Sequence, residues 1–293
     1  MKKSLETFKL DSWEKEIEPS IQKKAIQALE NGKVIFFPHL AFSLNSDEHL
    51  FLTPHIADPK SKNISYDIRK KKMSGVAKES SPIPLLQDMM HRYAVSSKHL
   101  INQLFPHYSP NIIQARTSFR PAEIAGRKSS YRKDDTRLHV DAFPATPVKG
   151  ERILRVFTNV NPHGKPRVWR VGEPFADVLQ KMSPKFRKPI PGMAFLMKCL
   201  KMTKDYRSLY DHYMLQMHDL MKGDLQYQKN VPQEEIQFHP GCTWIAYTDQ
   251  VSHAAMSGQF LFEQTFHLPV YGLHDEQTSP LRTMERFFKR SLT

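Results

Sequence analysis

The chain has 293 residues, of which 40% are hydrophobic and 11% aromatic, and it carries 43 Lys and Arg against 30 Asp and Glu. This composition supports a packed core and excludes a disordered chain, and no apolar run approaches the roughly 18 residues of a membrane-spanning helix. The net charge of +13 predicts an anionic partner, which could be nucleic acid, an anionic membrane surface or an acidic substrate.

The expected compartment is the cytoplasm. The first ten residues are charged and have no apolar stretch of the kind found in secretory signals. Cys199 and Cys242 lie far apart without metal or redox spacing, so we expect free thiols. A nucleic-acid partner is disfavoured, because the chain has no zinc-finger, RNP-type or glycine-rich phosphate-loop motif.

The first third of the chain predicts helices around a short strand. Residues 20–29 form an amphipathic pattern, and the apolar run 34–37 follows as a strand. Residues 84–105 have apolar side chains near helical spacing, and Pro84 suits a first helical turn. We interpret the methionines of this second helix as core residues that pack on a sheet.

From residue 112 onward the pattern is mostly that of strands. A basic loop at 125–137 and a helical region at about 174–229 interrupt it. The predicted strands are 113–120, 138–143, 152–160, 167–171, 236–239, 242–247 and 260–268. We therefore predict an α+β fold with a β-rich core, a jelly roll or double-stranded β-helix with flanking helices. The prediction is a single domain over residues 1–293, with its core at about 112–270 and a helical insertion at about 174–229.

The pair His139-Val140-Asp141 is the most informative motif. In a strand, residues two apart point to the same face, so this imidazole and this carboxylate could hold one metal ion. An isolated His-x-Asp is a weak signal, and its value depends on a third ligand.

The third ligand is expected near a late strand, where His239, His253 and His267 are candidates. We favour His253, because it follows a predicted turn after one late strand and precedes the next. Two histidines and one carboxylate form the facial triad of non-heme Fe(II) oxygenases, which leaves open positions for a 2-oxo acid and O2. His139, Asp141 and His253 are thus the predicted metal ligands and catalytic centre.

A 2-oxoglutarate cosubstrate needs a cation for its distal carboxylate, and the arginine fork suits this role. Many such enzymes place an arginine about ten residues after the distal histidine, but residues 260–266 contain no basic residue. Arg155, between apolar neighbours on a predicted strand, is the preferred replacement, and Arg120 is second. Three further residues are predicted to contribute to cosubstrate binding: Asn161, Trp169 and Gln264.

Five blocks of the sequence together resemble the Kdo hydroxylase family, in which Kdo is 3-deoxy-manno-octulosonate. The blocks are residues 139–144 (HVDAFP), 152–162 (RILRVFTNVNP), 167–175 (RVWRVGEPF), 249–254 (DQVSHA) and 264–266 (QTF). The resemblance covers most of residues 113–269.

The resemblance implies an Fe(II)- and 2-oxoglutarate-dependent dioxygenase that uses O2, is supported by ascorbate, and hydroxylates C3 of Kdo in the inner core of lipopolysaccharide. It implies an acidic sugar on lipid A as substrate and peripheral contact with the inner face of the inner membrane. Substrate carboxylate contacts are expected from the basic loop 127–137 or from the run 69–72.

Two alternatives remain open. One is an oxygenase of the same fold that acts on protein or nucleic acid, and the other is a non-enzymatic metal- or carbohydrate-binding jelly roll. The oligomeric state has no signature in the sequence.

Overall fold

The structure is a computed structural model, and it describes residues 3–77, 82–127 and 129–293. Lys128, in the predicted basic loop, lies outside the described residues. Within these ranges, no helix combines the length and hydropathy needed to span a bilayer.

The helices follow the predicted pattern closely in the first third of the chain and break into short pieces in the predicted insertion. Pro84 lies in the first turn of the second helix, as expected. The helices are α1 (Pro19–Glu30), α2 (Ile83–Leu104), α3 (Phe175–Met182), α4 (Met193–Cys199), α5 (Leu209–Gly223), α6 (Leu225–Asn230) and α7 (Pro280–Phe288).

The strands form an eight-stranded sheet in the order β1-β2-β9-β6-β11-β5-β3-β4 and a three-stranded sheet in the order β10-β7-β8. Their bounds are β1 (Leu5–Thr7), β2 (Val34–Phe37), β3 (Ile64–Asp67), β4 (Lys72–Ser74), β5 (Ile113–Arg120), β6 (Arg152–Asn159), β7 (Arg167–Val171), β8 (Glu234–Phe238), β9 (Thr243–Tyr247), β10 (His253–Ser257) and β11 (Leu261–Leu268). Mixed helices and a β-rich core confirm the α+β class.

One face of the large sheet is covered by helices, and the other faces the small sheet. Successive side chains along each strand point alternately to these two faces. On β11, Phe262 lies in a buried cluster with residues of α2, whereas Leu261 lies in a cluster with Trp169 of the small sheet. The inner face of the large sheet is the one to which Leu261 points. Polar side chains on this face therefore lie between the two sheets.

The strand prediction is wrong in three places, one of which is β10 (His253–Ser257), a strand that was missed between the predicted strands 242–247 and 260–268. Residues 138–143 do not form a regular strand. Instead, His139 makes a single isolated bridge to His253. The large sheet also starts well before residue 112, since it includes β1, β3 and β4, which were missed. These strands have only three or four residues, too few to show a hydrophobic period.

Candidate metal centre and its cationic surroundings

Two backbone contacts bring the predicted ligands together. The amide of His139 donates to the carbonyl of His253 at 3.0 Å, and the reciprocal bond is 2.9 Å. The amide of Asp141 donates to the carbonyl of Thr248 at 2.8 Å. The His-x-Asp segment is thereby held against the turn between β9 and β10, so one pairing positions all three side chains.

His139, Asp141 and His253 each present one ligand atom, and these atoms all lie within 4.8 Å of one another. Among the described residues, this is the one such group of three or more metal-binding side chains. The spacing and the N,N,O donor set fit a divalent iron with open coordination positions.

Both imidazoles are oriented by a carbonyl two residues before them. Nδ1 of His139 lies 2.8 Å from the carbonyl of Arg137, and Nδ1 of His253 lies 2.8 Å from that of Val251. Each Nδ1 donates its hydrogen to that carbonyl, so Nε2 keeps a free lone pair toward the site.

The site favours the protonation states that bind metal. Burial lowers the pKa of both His139 and His253, which keeps the rings neutral. Burial would raise the pKa of Asp141, but the charge of Arg155 opposes it, and the pKa lies well below its usual range.

Arg155 connects the triad to a buried carboxylate. Its guanidinium lies 2.9 Å from Asp141 and 2.9 Å from Glu263, and it is largely buried. Arg120 lies 2.6 Å from the same Glu263. Glu263 lies ten residues after His253, at the position where other enzymes of this class carry an arginine. Its carboxylate pairs with both Arg155 and Arg120.

Further charged groups surround this centre and were missed from the sequence. Lys62 pairs with Asp135, and Arg167 is buried, with its guanidinium donating to the carbonyl of Gly258 at 2.8 Å. Burial, followed by the charge of Arg120, lowers the pKa of Arg167 to about 9. Lys222 also interacts electrostatically with Asp135 and Asp141. These residues come from distant parts of the chain, and no local motif marks them.

The surroundings are cationic overall. Five basic side chains face three carboxylates among the described residues of this cluster. The basic ones are Lys62, Arg120, Arg155, Arg167 and Lys222, and the acidic ones are Asp135, Asp141 and Glu263. The excess suits dianionic or carboxylated ligands beside a metal ion.

Of the other predicted site residues, only Trp169 touches the triad, since its ring stacks on His253 with centroids 5.0 Å apart. Gln264 is a correction: it points to the helix-covered face of β11, where its Oε1 accepts from Thr117 at 2.6 Å. Neighbouring side chains on a strand point to opposite faces, and Glu263 points to the inner face, so Gln264 points away from it. Asn161 is also a correction, since its Oδ1 accepts from the amides of His163 and Lys165 and caps the turn after β6.

Comparisons with known proteins bear on the family of the chain. The family model for 3-deoxy-D-manno-oct-2-ulosonic acid (Kdo) hydroxylase matches residues 12–291. A comparison with curated proteins gave no match.

Solved structures of one enzyme resemble the whole chain. The Kdo hydroxylase KdoO, a non-heme Fe(II) alpha-ketoglutarate-dependent dioxygenase, in complex with alpha-ketoglutarate and Fe(III), is 50% identical with a TM-score of 0.96, over 99% of this chain and 98% of that one. The same enzyme in complex with cobalt(II) is 51% identical with a TM-score of 0.97, over 99% and 97% of the two chains.

Proposed function

Because the chain belongs to the Kdo hydroxylase family, we propose that it hydroxylates C3 of a Kdo sugar in the inner core of lipopolysaccharide. Fe(II), 2-oxoglutarate and O2 are the cofactor and cosubstrates, and succinate and CO2 are the co-products. The observation that carries this proposal is the group of His139, Asp141 and His253, whose ligand atoms lie within 4.8 Å of one another.

The three side chains fit Fe(II), and they would hold it through two Nε2 atoms and one carboxylate oxygen. When bound, the iron couples the oxidative decarboxylation of 2-oxoglutarate to hydroxylation of the sugar. The protein keeps both imidazoles neutral and oriented and keeps Asp141 ionised. The stacked indole of Trp169 shields His253 from water on its other side.

The distal carboxylate of 2-oxoglutarate is assigned to Arg155, with Arg120 second. Both lie on the inner face of the large sheet and share Glu263. The Nε of Arg155 is buried and has no hydrogen-bond partner among the described residues. A buried donor without a partner is costly, so a ligand carboxylate here would be stabilised.

We place the substrate carboxylate at the basic loop. Residues 129–137 of the basic loop lie beside the triad, since the carbonyl of Asp135 accepts from the amide of Ala255 at 2.8 Å. The run at 69–72 turns between β3 and β4 at the edge of the sheet. The basic loop therefore has the better position for the sugar acid.

For the architecture, the proposal is a double-stranded β-helix in one domain of residues 1–293. Support comes from the two sheets, which enclose the triad between them, and from the helices 175–230 inserted between β7 and β8. The proposed place of action is the cytoplasmic side of the inner membrane, with peripheral contact to anionic lipid. The net charge of +13 supports this contact.

The test is incubation of the protein with Kdo2-lipid A, Fe(II), 2-oxoglutarate and ascorbate under air. We expect a mass gain of one oxygen atom on the acceptor with an equal amount of succinate. No gain with this acceptor, together with turnover on a peptide or a nucleic acid, would overturn the substrate assignment and favour the other oxygenase.

Asp141→Ala is the matched variant for the metal assignment. It removes the single anionic ligand, so iron retention should fall by at least tenfold and hydroxylation should disappear, while far-UV circular dichroism stays unchanged. Full activity in this variant would show that another group of ligands holds the metal.

A further inference from the structure

The helix α4 is apolar in sequence but is not packed into the core. It reads MAFLMKC, and none of its seven residues, all of which the structure describes, is buried. Apolar side chains continue on both sides of it, and Ile190, Phe195, Leu200 and Met202 are 60 to 66% exposed. A cluster of large apolar side chains of this kind on a surface marks an interaction site.

The same segment is strongly basic. Residues 185–207 contain seven cations against one carboxylate, Asp205, so the segment supplies six of the thirteen net positive charges of the chain. The cations are Lys185, Arg187, Lys188, Lys198, Lys201, Lys204 and Arg207. They alternate with the apolar residues along the segment.

The protein itself gives these apolar side chains little cover. A cavity of about 860 Å³ opens beside the segment, and its lining includes Ile190, Met193 and Met197 together with His212 of α5 and Leu292 near the C-terminus. The helix therefore gains little burial from the body of the protein, and a partner is needed to remove these side chains from water.

We propose that residues 185–207, the docking segment, hold the enzyme on an anionic lipid bilayer. Exposed Phe, Leu, Ile and Met reach the boundary of headgroups and acyl chains, and the interleaved Lys and Arg bind lipid phosphates. A second copy of this chain would cover the apolar residues, but its own net charge of +13 would oppose the six net positive charges of the segment. The membrane-docking role of this segment rests on the proposed function, in which the substrate is a lipid-anchored sugar.

The docking segment is attached to the loop that follows the metal ligand Asp141. The amide of Lys204 donates to the carbonyl of Ala145 at 2.9 Å, and the guanidinium of Arg207 donates to that of Pro144 at 2.7 Å. Asp205 also pairs with Lys149 of this loop. Contact of the segment with a bilayer therefore brings the loop 144–149, and the triad behind it, close to lipid headgroups.

The test is sedimentation of the full-length protein with vesicles of phosphatidylethanolamine and phosphatidylglycerol, and with phosphatidylcholine vesicles for comparison. The wild-type protein should bind the anionic vesicles and bind phosphatidylcholine far less. Phe195→Ser combined with Leu196→Ser should weaken the partition by about tenfold or more, because the apolar contact is lost. Lys188→Gln and Lys201→Gln should each weaken it by about fivefold, the loss expected for one surface cation.

Leu225→Ser is the matched control, because Leu225 is 64% exposed but lies on α6 outside the docking segment. It should bind vesicles as the wild type does. Unchanged binding in the Phe195/Leu196 variant, or equal binding of the wild type to both kinds of vesicle, would overturn the proposal. A wild-type dimer that the Phe195/Leu196 variant converts to a monomer, without any change in vesicle binding, would assign the surface to a second copy of the chain instead.

The vesicle measurement needs neither iron nor turnover, so it separates the two proposals. Loss of vesicle binding in the segment variants without Kdo hydroxylation by the wild type would keep the docking surface and remove the substrate assignment. If the wild type and the segment variants hydroxylate Kdo2-lipid A in vesicles equally well, the substrate assignment would be kept and the docking surface would be removed.

Discussion

At the scale of single residues, Glu263 fixes the positions of the two arginines of the site. Arg155 and Arg120 are held by one buried carboxylate, and Arg155 also contacts Asp141 at 2.9 Å. The two guanidinium groups are therefore fixed in direction before any ligand arrives, which reduces the entropy lost on binding.

The two arginines should differ in their contribution to 2-oxoglutarate binding. Arg155→Ala should raise the KM for 2-oxoglutarate by about tenfold to a hundredfold, because a hydrogen bond between charged groups contributes about this factor to affinity. Arg120→Ala should raise the same KM less. Steady-state kinetics at varied 2-oxoglutarate concentrations measure both. Arg170→Ala is the control, since Arg170 neighbours the inward Trp169 on β7 and so faces outward. A larger effect of Arg120→Ala would reverse the assignment.

His267 predicts a pH dependence of stability. Burial, followed by the charge of Arg155, lowers its pKa to about 4 from an ordinary value of 6.5. Between these values the unfolded chain takes up a proton that the folded protein does not, so stability is complete above pH 6.5 and falls as the pH drops toward 4.

Replacement by a neutral residue should remove this part of the dependence. In His267→Asn, the loss of unfolding free energy between pH 7 and pH 4.5 should be smaller than in the wild type by about 2 kcal/mol. Urea unfolding of the metal-free protein at several pH values measures it. Equal losses in the two proteins would contradict a partly buried, neutral His267.

At the scale of elements, a buried ion pair secures the turn from β9 to β10, which precedes His253. Arg152 and Asp249 are 0% and 1% exposed, and their side chains lie 2.7 Å apart. Asp249 also accepts from the amide of Ile153, and Arg152 lies over the ring of Tyr247 at 3.7 Å. Thr248 of the same turn supplies the carbonyl that binds the amide of Asp141.

Breaking this pair should be costly because it leaves a buried charge alone. Arg152→Met should lower the free energy of unfolding by about 3 to 5 kcal/mol, and adding Asp249→Asn should recover part of the loss. Arg282→Met is the control: Arg282 pairs with Glu276 on the surface, where such pairs contribute at most about 1 kcal/mol. Additive effects of the two buried substitutions would show that the pair does not couple.

The predicted elements differ in accuracy for a physical reason. Long helices such as α2 and strands such as β6 have enough residues to show their period, and their bounds in the structure lie within one or two residues of the prediction. The segment 138–143 was also predicted as a strand, but its backbone makes one isolated bridge, at His139, and one further backbone hydrogen bond, from the amide of Asp141 to the carbonyl of Thr248. Alternation reports that one face is buried, and it does not report how many hydrogen bonds a segment makes.

At the scale of the whole molecule, the large sheet joins distant parts of the chain. Its strands come from residues 5 to 268, and β1 pairs in parallel with β2 at one edge. Loss of any central strand would expose the clusters on both faces of the sheet. This connectivity supports the proposal of a single domain.

A single domain predicts one cooperative unfolding transition. In urea, far-UV circular dichroism and tryptophan fluorescence should change at the same midpoint, since Trp169 and Trp244 lie in the cluster between the sheets. Two separate midpoints would contradict the prediction, with the helices of residues 175–230 as the part expected to unfold by itself.

The sequence by itself determined the residue types of the candidate metal centre, the α+β class and the excess of positive charge. A strand period and a His-x-Asp spacing are local properties, so they are legible along the chain. The structure brings His253 close to His139 and Asp141, and the sequence could favour it because a histidine beside a turn is a local pattern as well.

Only the tertiary structure decided which face each side chain occupies and which charges meet. Gln264 and Glu263 are neighbours in sequence, yet one bonds Thr117 under the helices and the other binds two arginines beside the triad. Lys62, Arg167 and Lys222 join the same site from a loop, from β7 and from α5, which are distant along the chain. These side-chain contacts depend on strand register and sheet closure. Both are set by long-range contacts that no local pattern encodes.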